Sequence, residues 1–281
     1  MLKTMAAAAG TAMLVFTSIA APASADDSKL DQLKAQGFAR VAIANEPPYT
    51  AVGADGKVSG AAPDVAREIF KRLGVPDIVA SISEYGAMIP GLQAGRFDAV
   101  TAGLFMKPQR CEAVAYSEPI LCDAEALLVK KGNPKGFKSY ADIAKDSTAT
   151  IGAPGGGTEE KLALEAGVPR ERVIVVPDGQ SGVKMLQDGR IDAYSLPVLS
   201  INDLVKKAND PNLAVVAPVV GAPVYCDGAA FKKSDTALRD AFDVELAKMK
   251  KSGEFAKIIE PYGFSAAAAM STSRDKLCAA K

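Results

Sequence analysis

Apolar positions along the chain alternate between two periods. Short apolar runs at residues 39–44, 78–82, 98–101, 173–176 and 192–195, and another opening residues 150–158, read as buried strands. Between them lie stripes at i, i+3/i+4 spacing. Val65, Ile69 and Leu73 form one, with Pro63 at the first helical position and Gly74 as the stop. Met88, Ile89 and Leu92 form another, ended by Gly95 as the C′ residue. A third helix is expected over 159–166, capped by Thr158 and ended by Gly167. Further helices are expected at 28–34, around 183–186, and over 199–208, 237–250 and 255–262. Strands alternating with helices predict an α/β fold.

The pattern repeats. Leu92-Gln-Ala-Gly-Arg-Phe-Asp98-Ala recurs as Leu186-Gln-Asp-Gly-Arg-Ile-Asp192-Ala, each a helix end followed by a strand. This predicts two similar α/β lobes, each with its own sheet. Residues 118–131 and 223–233 share a second pattern: apolar, Cys-Asp, apolar, Lys-Lys. They read as two extended crossings between the lobes. The expected division is residues 26–120 plus 228–281 for lobe 1 and 121–227 for lobe 2, with 237–250 and 255–262 returning as helices to lobe 1.

The first 25 residues are expected to lie outside the fold. Lys3, an apolar run from Met5 to Ala20, and Ala23-Ser24-Ala25 before Asp26-Asp27 have the layout of a cleaved export signal. A bacterial-type signal places the mature protein in a periplasm. There, Cys111, Cys122, Cys226 and Cys278 can form disulfides, with three possible connectivities. If the two crossings are neighbours, Cys122 meets Cys226, and Cys111 is left to hold Cys278 and the tail. No cysteine pair has metal-like spacing. The chain has no His, which excludes Ser-His-Asp catalysis and His-based metal sites. No metal or cofactor is expected. Net charge is zero and aromatics are sparse, so a nucleic-acid partner is disfavoured.

Candidate chemistry gathers where strands end, the place where open α/β sheets bind ligands. Glu46 and Tyr49 follow the first strand; Tyr85 sits in the loop behind the second, beside Glu84; Gly103, Phe105 and Arg110 follow the third. Gly103 lets a ligand approach the backbone. Tyr49, Tyr85 and Phe105 together suit a delocalised cation, at ~0.5–2 kcal/mol per favourable ring contact. Glu46 can accept its N–H bonds. Arg110 can clamp a carboxylate through two parallel bonds. The Gly155-Gly156-Gly157-Thr158 loop at a helix start is read as an anion site. It lacks the Gly-Lys-Ser/Thr of a phosphate loop, and Glu159-Glu160 would repel phosphate, so a carboxylate is the expected guest.

These residues resemble the periplasmic solute-binding proteins of polar-amino-acid ABC importers. The resemblance covers the mature chain: Glu46 to Tyr49, both Gly-Arg-x-Asp units, Gly103 to Arg110, Tyr-Ser-x-Pro at 116–119, and the Gly-rich loop with Thr158. It implies the two-lobe type II periplasmic binding fold with the crossovers as hinge, a permease partner, and a monomer without a cofactor. Within that family the set Glu46, Tyr49, Tyr85, Phe105, Arg110 and Thr158 is similar to the ectoine/hydroxyectoine binders, which implies a small zwitterionic ligand. Two departures from amino-acid binders support this. Phe105 stands where they carry a Thr, and Pro197 stands where they carry the Asp that holds an α-ammonium.

Two other readings remain. One is a binder of a polar amino acid or opine-like derivative. The other is a periplasmic dehydratase or lyase on the same fold, with Glu46 and Glu84 as an acid/base pair.

Overall fold

The computed structural model describes residues 28–279; the expected export signal lies outside them. Two five-stranded sheets organise the chain. In the first, Phe38–Ile43 runs parallel to Asp77–Ile82 and to Ala99–Val100. Ala230–Phe231 returns from the far end of the chain, antiparallel to both Ala99–Val100 and Ala115–Tyr116. In the second, Ile151–Pro154 runs parallel to Val173–Val176 and Ala193–Pro197, while Glu125–Lys130 joins Ala193–Pro197 to Leu213–Val216 in antiparallel pairing.

Each sheet is covered on both faces, as period-two strands with two apolar faces require. Val41 and Ile43 face one core with Val65, Ile69, Phe70 and Phe242; Ala42 and Val100 face the other with Met88, Leu92 and Tyr116. Leu127 and Val129 likewise turn away from Ala126 and Leu128 in the second sheet. Helix Thr236–Ser252 returns to the first lobe, where Phe242 packs edge-on against Phe70 and Phe231, at 5.8 and 5.3 Å between ring centroids.

The two crossings are neighbours. Cys122–Asp123 and Tyr225–Cys226 form an antiparallel ribbon in which Cys122 opposes Cys226. These two cysteines are bonded, with Cα atoms 4.0 Å apart. Cys111 and Cys278 are bonded as well, tying helix Arg274–Cys278 to helix Pro108–Ala113. Asp227 follows the ribbon, fully buried, and accepts the Leu121 N–H at 2.7 Å. Burial lifts its carboxyl to about 7.

Helix starts differ locally from expectation. The helix predicted to open at Pro63 opens at Ala61, with Gly60 at the N-cap and Pro63 at the third position. Tyr85 is not in a loop: it is the first residue of helix Tyr85–Gln93, and Glu84 is its N-cap. Thr158 does not cap its helix. Gly157 holds that position and makes no side-chain bond, so Thr158 is already the first helical residue.

Candidate functional site

A narrow cavity of about 10 Å³ lies between the lobes, lined by Glu46, Tyr49, Tyr85, Gly103, Phe105, Arg110, Gly157, Thr158, Glu159 and Pro197. All seven expected site residues are in this wall. The first lobe supplies Glu46 and Tyr49 from the turn after Phe38–Ile43. It also supplies Tyr85 from a helix start, and Gly103 and Phe105 from the loop after Ala99–Val100. Arg110 comes from helix Pro108–Ala113. The second lobe supplies the start of helix Thr158–Glu165 and the end of strand Ala193–Pro197.

The aromatic wall is held by its own packing. Tyr49 meets Phe105 edge-on at 6.1 Å and Phe264 at 4.7 Å; Phe105 stacks on Tyr225 at 5.6 Å. Gly103 has φ +76°, and a Cβ there would lie 2.7 Å from the Tyr49 ring, so the backbone reaches the ring only without a side chain. The Tyr85 hydroxyl donates to the Ala102 carbonyl at 3.0 Å and lies 3.3 Å from Glu46 Oε2.

Glu46 is pinned from both lobes: the Ser200 hydroxyl, on the second, donates to Oε1 at 2.7 Å. Burial and then the nearby Glu159 charge push the Glu46 carboxyl up to about 8, against the lowering effect of the Ser200 and Tyr85 bonds. A cation placed against this carboxyl would favour its ionised form.

Arg110 spans the cleft. Nη1 donates to the Phe105 carbonyl and Nη2 to the Gly156 carbonyl, both at 2.9 Å. The Gly-rich loop departs from the anion-site expectation. The Gly156 N–H donates to Glu160 Oε2 at 2.5 Å and the Gly157 N–H to the Pro154 carbonyl at 3.0 Å, so these donors serve the lobe itself. What faces the cavity is the Thr158 hydroxyl, buried and without a partner among the described residues. The loop also seals the lips of the cleft. The Gly86 N–H donates to the Gly155 carbonyl at 3.2 Å, and a Cβ on Gly156 would lie 2.4 Å from Gly86 Cα.

Sequence reasoning did not place three charged residues, Glu159, Glu125 and Lys107, in or beside the site wall. Glu159 is buried in the cavity wall although its position, second in a helix, suits an exposed side chain. Glu125 is buried beside it, and neither of its oxygens accepts a bond from a donor among the described residues. Burial, then the Glu159 charge, drives Glu125 well above the usual carboxylate range; Glu159 is raised as well, chiefly by burial. Two buried carboxyls side by side disfavour each other's ionised form. Lys107 lies nearby with its ammonium 4.8 Å from the Tyr225 ring centroid. Burial and then Arg110 bring it down to about 8. Glu125 did have a sequence signal: it is the lone charge within Ala124-Glu-Ala-Leu-Leu-Val129.

Comparison with known proteins agrees with this architecture. The pattern of the bacterial extracellular solute-binding proteins, family 3, matches residues 39–265. A probable amino-acid ABC transporter periplasmic-binding protein of Sinorhizobium fredii is 36% identical over 84% of this chain and 80% of its own length. The crystal structure of EhuB in complex with hydroxyectoine is 84% identical and superposes with TM-score 0.90, covering 90% of this chain and 98% of that one. An ancestral amino-acid-binding protein, described as a precursor of cyclohexadienyl dehydratase, is 27% identical with TM-score 0.74, covering 84% of this chain and 99% of that one.

Proposed function

Because the chain belongs to the bacterial extracellular solute-binding proteins of family 3, we propose that it captures ectoine or hydroxyectoine in the periplasm and presents it to the permease of an ABC importer. One observation carries the ligand assignment. Three aromatic side chains, a carboxyl acceptor and a guanidinium line one small cavity, in a chain 84% identical to a protein solved with hydroxyectoine. The ring amidinium of such a zwitterion lies against Tyr49, Tyr85 and Phe105 and donates to Glu46. Its carboxylate takes Arg110, which exchanges a carbonyl for it, and the free Thr158 hydroxyl. A ligand touching both lobes favours the closed form by its differential affinity. We assign lobe 1 to 26–120 plus 228–281 and lobe 2 to 121–227, with pivots at 118–125 and 223–229. The protein acts as a monomeric binding protein that needs no metal, cofactor or nucleic acid.

A second reading, a polar amino acid, draws support from Glu159. Pro197 removes the acidic acceptor expected at that strand end, but Glu159 brings another second-lobe carboxyl into the wall. It is a poor substitute, since it is buried beside Glu125, and Lys107 and Arg110 lie close. The dehydratase or lyase reading has less support: Glu84 is exposed at its helix cap and shares with Glu46 only a neighbouring crevice beside Tyr85 and Gly155, outside the aromatic cage.

A thermal-shift and calorimetric panel tests the assignment. Ectoine or hydroxyectoine at a hundred times its dissociation constant adds about 2.7 kcal/mol of stability. Glutamine, histidine and arginine, which would bury N–H donors lacking acceptors at about 1–3 kcal/mol each, should add little. A strong shift with a proteinogenic amino acid and none with either ectoine would replace this reading by the second.

A further inference from the structure

Ser200 lies behind the cavity wall, not in it. It is fully buried on the second lobe, in the first turn of helix Val198–Ala208, and its hydroxyl donates across the cleft to Glu46 Oε1 at 2.7 Å. The rest of that first turn is anchored on the hinge. The Val198 N–H donates to the Ala124 carbonyl and the Leu199 N–H to Asp123 Oδ2, both at 2.9 Å. The same Asp123 oxygen lies 3.4 Å from the Tyr49 hydroxyl. One helix start therefore holds the hinge strand by its backbone and a first-lobe carboxylate by a side chain. Separating the lobes breaks the Ser200–Glu46 bond and leaves the hinge contacts intact.

We propose that Ser200 is a positioning residue for ligand capture: it grips one oxygen of Glu46 across the closed cleft, aims the other at the ligand, and latches the lobes. This rests on the reading of the cleft as a trap for a zwitterion with a cationic ring. Its mechanism is electrostatic as well as geometric. A hydroxyl donor favours the ionised carboxylate that a cation needs. Glu159 from helix Thr158–Glu165 and Asp123 from the hinge oppose that ionisation, while Tyr85 assists it. Tyr49 and Arg110 face the same cavity.

The test compares Ser200→Ala and Ser200→Thr with the wild type by calorimetric titration of ectoine from pH 6 to pH 9. Wild-type affinity should rise with pH as Glu46 ionises. Ser200→Ala should weaken binding roughly ten- to hundred-fold at neutral pH and move the midpoint of the pH profile upward. Ser200→Thr, which keeps the hydroxyl, should restore both. Unchanged affinity in Ser200→Ala overturns the proposal. So does weaker affinity with the wild-type profile, which is the mark of a purely structural role. Small-angle scattering without ligand separates this idea from the ligand assignment. Ser200→Ala should shift the ligand-free protein toward the open form whatever the ligand proves to be, and a scattering curve identical to wild type overturns the latch. Failure of the wild type to bind any ectoine, with that opening still observed, overturns the ligand assignment and leaves the latch standing. Should Ser200→Ala fail to fold, Ser200→Cys, with similar volume and a weak donor, is read by the same criteria.

Discussion

Gly103→Ala is the substitution whose cost can best be built from the structure. The position has φ +76°, where an L-residue with a Cβ is disfavoured by roughly 1–2 kcal/mol. The new methyl would lie 2.7 Å from Cδ1 of Tyr49, well inside contact distance. Tyr49 cannot simply retreat: it is 1% exposed and packs against Phe264 at 4.7 Å and Phe105 at 6.1 Å. Overpacking of this kind costs about 1–3 kcal/mol. The sum is about 2–5 kcal/mol; at about 2–4 °C per kcal/mol for a chain of this size, the unfolding temperature should fall by roughly 4–20 °C. Differential scanning calorimetry of the ligand-free protein reads this directly. The two contributions separate in a cycle with Tyr49→Ala, where Gly103→Ala should cost only its backbone share, about 1–2 kcal/mol. Because the displaced ring is a wall of the cage, titration should also show weaker ectoine binding. An unfolding temperature within about 1 °C of wild type, with unchanged affinity, would refute the close approach of this backbone to the ring.

Three further outcomes are expected. Arg110→Ala should weaken ligand binding by about 2–5 kcal/mol in calorimetric titration, since a desolvated carboxylate loses its partner, while the protein stays folded. In ligand-free protein, stability should decline as pH rises from about 5 to 8. Glu46 and Asp227 keep protons up to about 8 and about 7 when folded but lose them near 4.5 and 3.8 when unfolded, so the folded state binds more protons across this window and each group's contribution is lost with rising pH; a flat or rising unfolding temperature contradicts this. Cys278→Ser should lower stability by about 2–5 kcal/mol in denaturant titration, with ligand affinity unchanged because neither Cys111 nor Cys278 lines the cavity.

The architecture was legible because its signals are local and repeated. The alternation of strand and helix, the duplicated Gly-Arg-x-Asp-Ala, and the paired Cys-Asp crossings each encode a unit of the fold, and strand ends bring Glu46, Tyr49, Phe105 and Arg110 to one edge without further information. The misread features depend on local backbone geometry or on contacts distant in sequence. Thr158 has the residue type of a cap, but the backbone passes that role to Gly157 and frees the hydroxyl. Glu159 reads as an acid suited to a helix start, yet it is buried in the cavity wall beside Glu125. Ser200 is one serine in an amphipathic helix until Glu46 arrives from 154 positions away in the sequence. Backbone satisfaction hid the rest: the Gly-rich loop has the composition of an anion site, yet Glu160 and the Pro154 carbonyl already use its donors.

The two disulfides also decide how the chain would carry a mechanical load. Tension applied between residues 28 and 279 runs along the first lobe to Cys111 and then crosses its sulfur bridge to Cys278, bypassing a stretch 167 positions long in sequence. The second lobe sits inside that stretch and is itself short-circuited where Cys122 meets Cys226. Pulled from its ends, the oxidised protein would extend through part of the first lobe while the second stayed slack, and reduction would return the whole chain to the load path.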